Sequence, residues 1–244
     1  MEAGAALRAW ARFVGAPAYP ATADDERTID LVGLRMPWRA TVAIVVVTFA
    51  LVVDYSLTLL PDDLAAAGRT PGTMWAIALE RAVVYGLLPL AVVLLVFRDR
   101  PSRYGVRLGD WRAGAILVLV GCALMTPVVL WFATLPDVRA FYGPSAAPLP
   151  VLVATNALDL TAAEFLFRGF LMFTLLRVLG PIGVLVATMP FVFAHLGKPE
   201  LELLSTLGGG LVYGWLAWRT GSIVWGALGH VYILTLVTAA AGAA

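Results

Sequence analysis

The sequence predicts an all-α protein, a polytopic membrane bundle of about seven transmembrane helices. Three observations carry that expectation. Hydrophobic residues make up 61% of the 244 residues and charged residues only 14%, where soluble chains are about half apolar and a quarter charged. The apolar residues gather into blocks of roughly twenty, the length at which a helix crosses about 30 Å of hydrocarbon. Pro61, Pro71, Pro101, Pro136, Pro150, Pro181 and Pro199 fall at or near the block boundaries, where a missing backbone donor costs least.

Residues 1–39 come first, an amino-terminal segment expected to lie on the cytoplasmic side. Leu7, Trp10, Phe13 and Val14 alternate with arginines and precede a polar stretch from Thr22 to Thr28, which reads as an interfacial helix running into a tail, or as tail throughout. No uninterrupted apolar core ends there in a small-residue cleavage site, so no removable signal peptide is expected and insertion uses internal helices. The transmembrane domain follows over residues 40–240, with spans expected at 40–60, 74–97, 113–135, 151–179, 181–197, 203–218 and 222–240. No internal repeat of fixed period is evident.

Arginine placement sets the expected orientation, because cytoplasmic loops near helix ends retain an excess of positive charge. Arg8, Arg12, Arg27, Arg35 and Arg39 lie before the first span, and Arg98, Arg100, Arg103, Arg107 and Arg112 follow the second. The alternate loops carry only Arg69, Arg139 and Lys198, whereas Arg177 and Arg219 fall on the arginine-rich side. The amino terminus is therefore expected inside and the carboxyl terminus outside, in a bacterial inner membrane. A net charge of +1, with the basic residues placed between apolar blocks, gives no reason to expect nucleic acid as a partner. Cys122 is the only cysteine, so neither a disulfide framework nor a cysteine-based metal site can be built.

An ionisable group inside a membrane costs about 2.5–3.5 kcal/mol on insertion scales, so each one calls for a partner or a purpose. In the first half these are Asp54, Glu80 and Arg81. Neighbours in sequence point about 100° apart on a helix, so Glu80 and Arg81 are expected to face separate neighbours in a structural role. Glu164 and Arg168 differ, since four residues apart they share one helix face, acid before base, and neutralise each other. Downstream lie the chain's only two histidines, His195 and His230, each in an apolar span.

A buried carboxylate with two imidazoles supplies the groups that activate a water, a general base with partners that orient it or stabilise an oxyanion. The same three groups also suit a metal bound by two histidines and one carboxylate. Lys198, Glu200 and Glu202 add charge after His195, with Pro199 at a helix start and a turn expected between His195 and Glu202. Gly210 and Gly214 have the spacing that lets membrane helices approach closely.

These motifs resemble the CPBP family of CAAX-type and bacteriocin-processing intramembrane proteases over roughly residues 100–235. The family's Glu-Glu-x-x-x-Arg helix is similar to Glu164 with Arg168, its Phe-x-x-x-His to Phe191 with His195, and its final histidine to His230. The segments 164–171, 219–225 and 104–112 are also similar to family text. Two positions depart: the family's first glutamate is Ala163 here, and the asparagine after the last histidine is Leu234.

The resemblance implies hydrolysis of a peptide bond in a membrane protein or lipidated peptide at the bilayer, a CAAX-type, bacteriocin-type or carboxyl-terminal sorting substrate. Glu164 would hold or deprotonate the water beside Arg168, and His195 and His230 would stabilise the oxyanion. In a branch with a single glutamate and a His-x-Gly-Lys-Pro segment, Lys198 and Glu202 complete the site. The scheme favoured here has no metal; the variant places Glu164, His195 and His230 around zinc. Two readings compete with proteolysis, a protease-like scaffold that binds a membrane partner without cutting it, as Ala163 and Leu234 would permit, and a transport relay through Asp54, Glu80 and Arg81. The spans as drawn would leave Glu164, His195 and His230 at different depths, unless helices tilt or the fourth breaks near Asp159.

Overall fold

The computed structural model describes residues 10, 11, 13–57, 70–144 and 147–243. Leu7, Arg8 and Arg12 of the amino-terminal segment, and Pro61 and Arg69 of the loop after the first span, lie outside the described residues.

The polar stretch after Thr22 is neither interfacial helix nor tail, which corrects the expectation for this segment. Thr22 caps a short helix, Ala23–Glu26, and its backbone and hydroxyl both donate to the Asp25 carboxylate, at 2.9 and 2.7 Å. Strands β1 (Thr28–Leu31) and β2 (Leu34–Pro37) then pair antiparallel. Val32 and Gly33 both take positive φ between them, as a two-residue hairpin turn requires. Buried charge anchors this unit: Asp25, 1% exposed, receives Arg39 at 2.8 Å and Arg103 at 2.9 Å, with Arg177 at 3.8 Å.

Burial by itself would raise the Asp25 carboxyl, but the Thr22 hydrogen bonds and those from Arg39 and Arg103 outweigh it and hold it well below the usual carboxylate range. The stabilisation is therefore present above the unfolded value of about 3.9 and is lost as pH falls through the lower folded value. Amide exchange in the hairpin should stay slow down to about pH 4 and quicken on further acidification. In Asp25→Asn it should be fast at neutral pH and lose that acid step.

The rest is helical. Helix α1 (Trp38–Val52) runs into a π-helical turn, Val53–Leu57. Helix α2 (Pro71–Arg81) continues through π-helical and α-helical turns to Val96. Helix α3 is Trp111–Phe132, and the short α4 is Pro136–Tyr142. Helix α5 (Leu149–Glu164) passes into a π-helical stretch, Phe165–Met172, and on through Phe173–Leu179. Helices α6 (Ile182–Phe193), α7 (Glu200–Thr220) and α8 (Val224–Ala243) complete the bundle.

Four helices, at Trp38–Ser56, Pro71–Val96, Trp111–Phe132 and Val224–Ala243, are long and apolar enough to cross a membrane. Their large side chains on the outer surface, Leu119, Leu124 and Trp131 of α3 among them, are exposed, as lipid-facing positions require. The span expected at 181–197 is cut short, because α6 has only 12 residues, about 18 Å of helix. Helix α4, unforeseen in the sequence, packs Val138 and Tyr142 against Val237 and Ala241 of α8.

One end of the bundle carries the hairpin and the 97–110 loop. There the Asp110 amide donates to the Thr220 carbonyl at 2.8 Å and the Ile223 amide to the Gly105 carbonyl at 3.0 Å. Trp215 and Trp218 donate to the Val14 and Pro17 carbonyls, which pins the amino-terminal segment to α7. The far end carries α4, the start of α5 and the 194–199 turn. Between α6 and α7 the two glycines act as their spacing predicts: a β-carbon at Gly210 would lie 2.5 Å from Thr188 and one at Gly214 2.7 Å from Val184. Larger residues there would drive apart the helices that carry His195 and Tyr213.

Candidate active site

Glu164 ends the regular part of α5 at the point where the helix widens. The eight residues that follow are all buried, five of them as Phe165, Leu166, Phe167, Phe170 and Leu171. A π-helical stretch inside a helix frequently marks a functional site, because it re-aims side chains by the extra residue. Arg168, one turn on, lies 3.2 Å from Glu164 Oε1, and its guanidinium covers the Phe191 ring at 3.7 Å. Both charges are sealed from solvent, at 0% and 3% exposure.

The two histidines arrive from different directions. His195 follows α6 in a turn, and its Nδ1 lies 2.8 Å from the Phe191 carbonyl. A carbonyl only accepts, so Nδ1 carries the proton and Nε2 keeps its lone pair. His230, six residues into α8, donates Nδ1–H to Glu164 Oε1 at 3.1 Å, which again leaves Nε2 as the acceptor. The imidazole planes are nearly parallel, 14° apart, with centroids separated by 6.5 Å. Glu164 Oε2 is buried with no hydrogen-bond partner among the described residues, and so is Nη2 of Arg168, while its Nη1 faces Glu164 Oε1 at 3.2 Å as an ion pair without hydrogen-bond alignment. A buried carboxylate oxygen left open in this way is a place for a water or a substrate hydrogen.

The depth mismatch expected from the seven spans is therefore absent. The chain turns back at residues 194–198 without finishing a crossing, and irregular backbone is tolerated at membrane depth where it lines a cavity. Tyr55 at the end of α1 holds this turn, its hydroxyl donating to the Ala194 carbonyl at 2.5 Å. Phe191, 4.5 Å from the His195 ring and 6.0 Å from His230, supports both imidazoles.

Lys198 and Glu202 pair at 2.8 Å, and the Tyr142 hydroxyl donates to both Glu202 oxygens at 2.8 Å. With His230 and Leu234 they line a cavity of about 220 Å³ between α3, α7 and α8. They thus stand beside the histidines without touching Glu164. Glu200 opens α7 as an exposed residue.

Three contributors were not apparent in the sequence. Tyr213 of α7 stacks on His230 at 5.3 Å and lies 5.7 Å from the Arg168 guanidinium. Gly226 leaves room for the carboxylate, since a β-carbon there would sit 3.0 Å from Glu164 Oε2. Tyr142 comes from α4, outside every recognised motif. Tyr213 lies within the glycine-spaced segment, so the close approach of α7 was the one signal that could have pointed to it.

The first-half charges also meet. Arg81 bridges Asp54 at 2.9 Å and Asp159 at 3.1 Å, and Tyr85 donates to Asp54 at 2.8 Å. Asp54, Arg81 and Asp159 line a cavity of about 360 Å³ whose wall includes Leu196, Lys198 and Leu234. The cluster ties the end of α1 and α2 to α5 through Arg81.

Among the described residues no group of three or more His, Cys, Asp or Glu side chains is arranged to hold a metal ion. Glu164 Oε1 is already engaged by His230 and faces Arg168, so that oxygen is not free to ligate zinc.

Residues 145–235 match the family model described as type II CAAX prenyl endopeptidase, Rce1-like. No curated protein and no solved structure matches the chain. The matched stretch is narrower than the resemblance read over 100–235, yet it contains Glu164, Arg168, Phe191, His195, Lys198, Glu202, Tyr213 and His230. With four helices among the described residues long and apolar enough to cross a bilayer, the protein is an integral membrane protein whose residues 145–235 are similar to the Rce1-like type II CAAX prenyl endopeptidases, in keeping with the CPBP resemblance.

Proposed function

We propose that the protein is an intramembrane endopeptidase that cuts a peptide bond in a membrane-bound protein or lipidated peptide, using a water activated by Glu164, His195 and His230. The observation that carries this reading is the hydrogen bond from His230 to the buried Glu164, with both histidine Nε2 lone pairs left free.

A water held by the two Nε2 acceptors offers its own lone pair to the scissile carbonyl. His230 Nε2 takes one proton as the carbon–oxygen bond forms, and Glu164 stabilises the resulting imidazolium. Collapse breaks the carbon–nitrogen bond, and His230 returns the proton to the leaving amine. The water's oxygen remains in the new carboxyl group. The tautomers support a role for the imidazoles as acceptors first, rather than the oxyanion donors expected from the family pattern. Lys198 is the nearby cation suited to the developing oxyanion, held by Glu202 and Tyr142 beside His230.

Ala163 does not remove the acid, because Glu164 alone meets His230. Leu234 leaves a cavity wall apolar where the family's amide would stand. The scaffold alternative keeps the same packing but requires no turnover. The two separate on one experiment: processing of a candidate membrane substrate in cells carrying the wild-type chain, Glu164→Gln or His195→Ala. Loss of the cut in both variants, at equal protein level, supports proteolysis; unaltered processing in both supports the scaffold.

A further inference from the structure

Two cavities lie on the same side of the site: the smaller touches it at His230, and the larger adjoins the smaller. The polar cavity of about 360 Å³ runs from Thr73 and Thr238 near the far end down to Leu234, one helical turn from His230. The smaller one, about 220 Å³, touches His230 itself and shares Tyr142, Lys198 and Leu234 with the first. Its other wall is Met125, Val128 and Trp131 of α3, whose exposed side chains face the lipid.

Toward the hairpin end the site is closed. Phe97, Tyr104, Phe167, Phe170 and Phe173 are all buried there, and Phe170 stacks on Phe97 at 5.8 Å and lies 6.4 Å from Tyr104. The groove at the hairpin end, lined by Tyr19, Arg103 and Arg107, shares no residue with either cavity. Among the described residues, the cavities that adjoin the site open toward the far end, and the groove at the hairpin end does not join them.

The bundle ends differ in basic charge. The hairpin end holds Arg27, Arg35, Arg39, Arg98, Arg100, Arg103, Arg107, Arg112, Arg177 and Arg219; among the described residues the far end holds Arg139 and Lys198. That asymmetry places the hairpin end in the cytoplasm. We infer that the site takes its water and its substrate from the extracytoplasmic side, so that the substrate is an exported, membrane-held segment whose scissile bond lies below the outer surface. A cytoplasmic carboxyl-terminal tail would have no path to His230. The nature of the substrate rests on the endopeptidase reading, but the direction of access is measured without turnover.

The test uses the full chain with Cys122→Ala, carrying Leu196→Cys or Thr238→Cys in the polar cavity, or Arg100→Cys at the hairpin end. A membrane-impermeant maleimide is applied to intact cells and to inverted vesicles. The expected result is labelling of the two cavity cysteines in intact cells and of Arg100→Cys only in inverted vesicles. Cavity cysteines labelled only in inverted vesicles, or in neither preparation while the denatured protein labels, overturn the inference. Correct labelling with processing indifferent to Glu164→Gln would instead overturn the protease reading and leave the access route standing.

Discussion

Glu164→Gln, His195→Ala and His230→Ala are each expected to lower processing of a membrane-bound substrate by about 10²–10⁴-fold, the range over which positioned acid–base groups act. A glutamine retains the shape of Glu164 and can accept from His230 Nδ1, but it carries no charge to stabilise the imidazolium that forms when His230 takes the water's proton. His195→Ala removes the second acceptor that orients the water. Because Glu164 acts through His230, the double variant Glu164→Gln/His230→Ala should be no slower than the slower single variant. Losses that multiply in the double variant would show two independent groups and contradict the dyad.

Arg168→Met is expected to destabilise the bundle by about 3–5 kcal/mol, the cost of removing one member of a buried ion pair. Glu164 is wholly buried, and Arg168 lies 3.2 Å from it as the one guanidinium within reach. Methionine fills similar volume over the Phe191 ring, so lost packing is the smaller part of the change. The measurement is the unfolding midpoint in detergent, and adding Glu164→Gln to Arg168→Met should recover a large part of the loss. A midpoint unchanged in Arg168→Met would show that the pair contributes nothing to stability.

The legible part of the fold was the part governed by hydropathy. Blocks of apolar residues gave an all-helical membrane bundle, and the (i, i+4) spacing put Glu164 beside Arg168. The exact count of seven spans does not follow from the structure, since among the described residues four helices meet the length and hydropathy of a crossing helix. The hairpin at 28–37 was hidden because Asp25 is buried through Arg103 and Arg177, 78 and 152 residues away in sequence. No local pattern encodes such a contact.

At the candidate site, the sequence supplied Glu164, His195 and His230 but not their meeting. Their convergence depends on where α6 stops and on the glycine-lined approach of α7, both of which are tertiary. The partners of Arg81 were hidden for the same reason: Asp159, which draws Arg81 toward α5, lies 78 residues beyond it. Tyr142 sits on a seven-residue helix too short to register in a hydropathy window.

The chain has only two histidines, so selective ¹⁵N labelling of histidine in the purified protein gives two imidazole spectra and reads the central hydrogen bond directly. Both rings should carry their proton on Nδ1 with an unprotonated Nε2, and Glu164→Gln should perturb His230 while leaving His195 unchanged. Two imidazoles with mixed tautomers, indifferent to Glu164→Gln, would contradict a carboxylate–imidazole pair poised over a shared water.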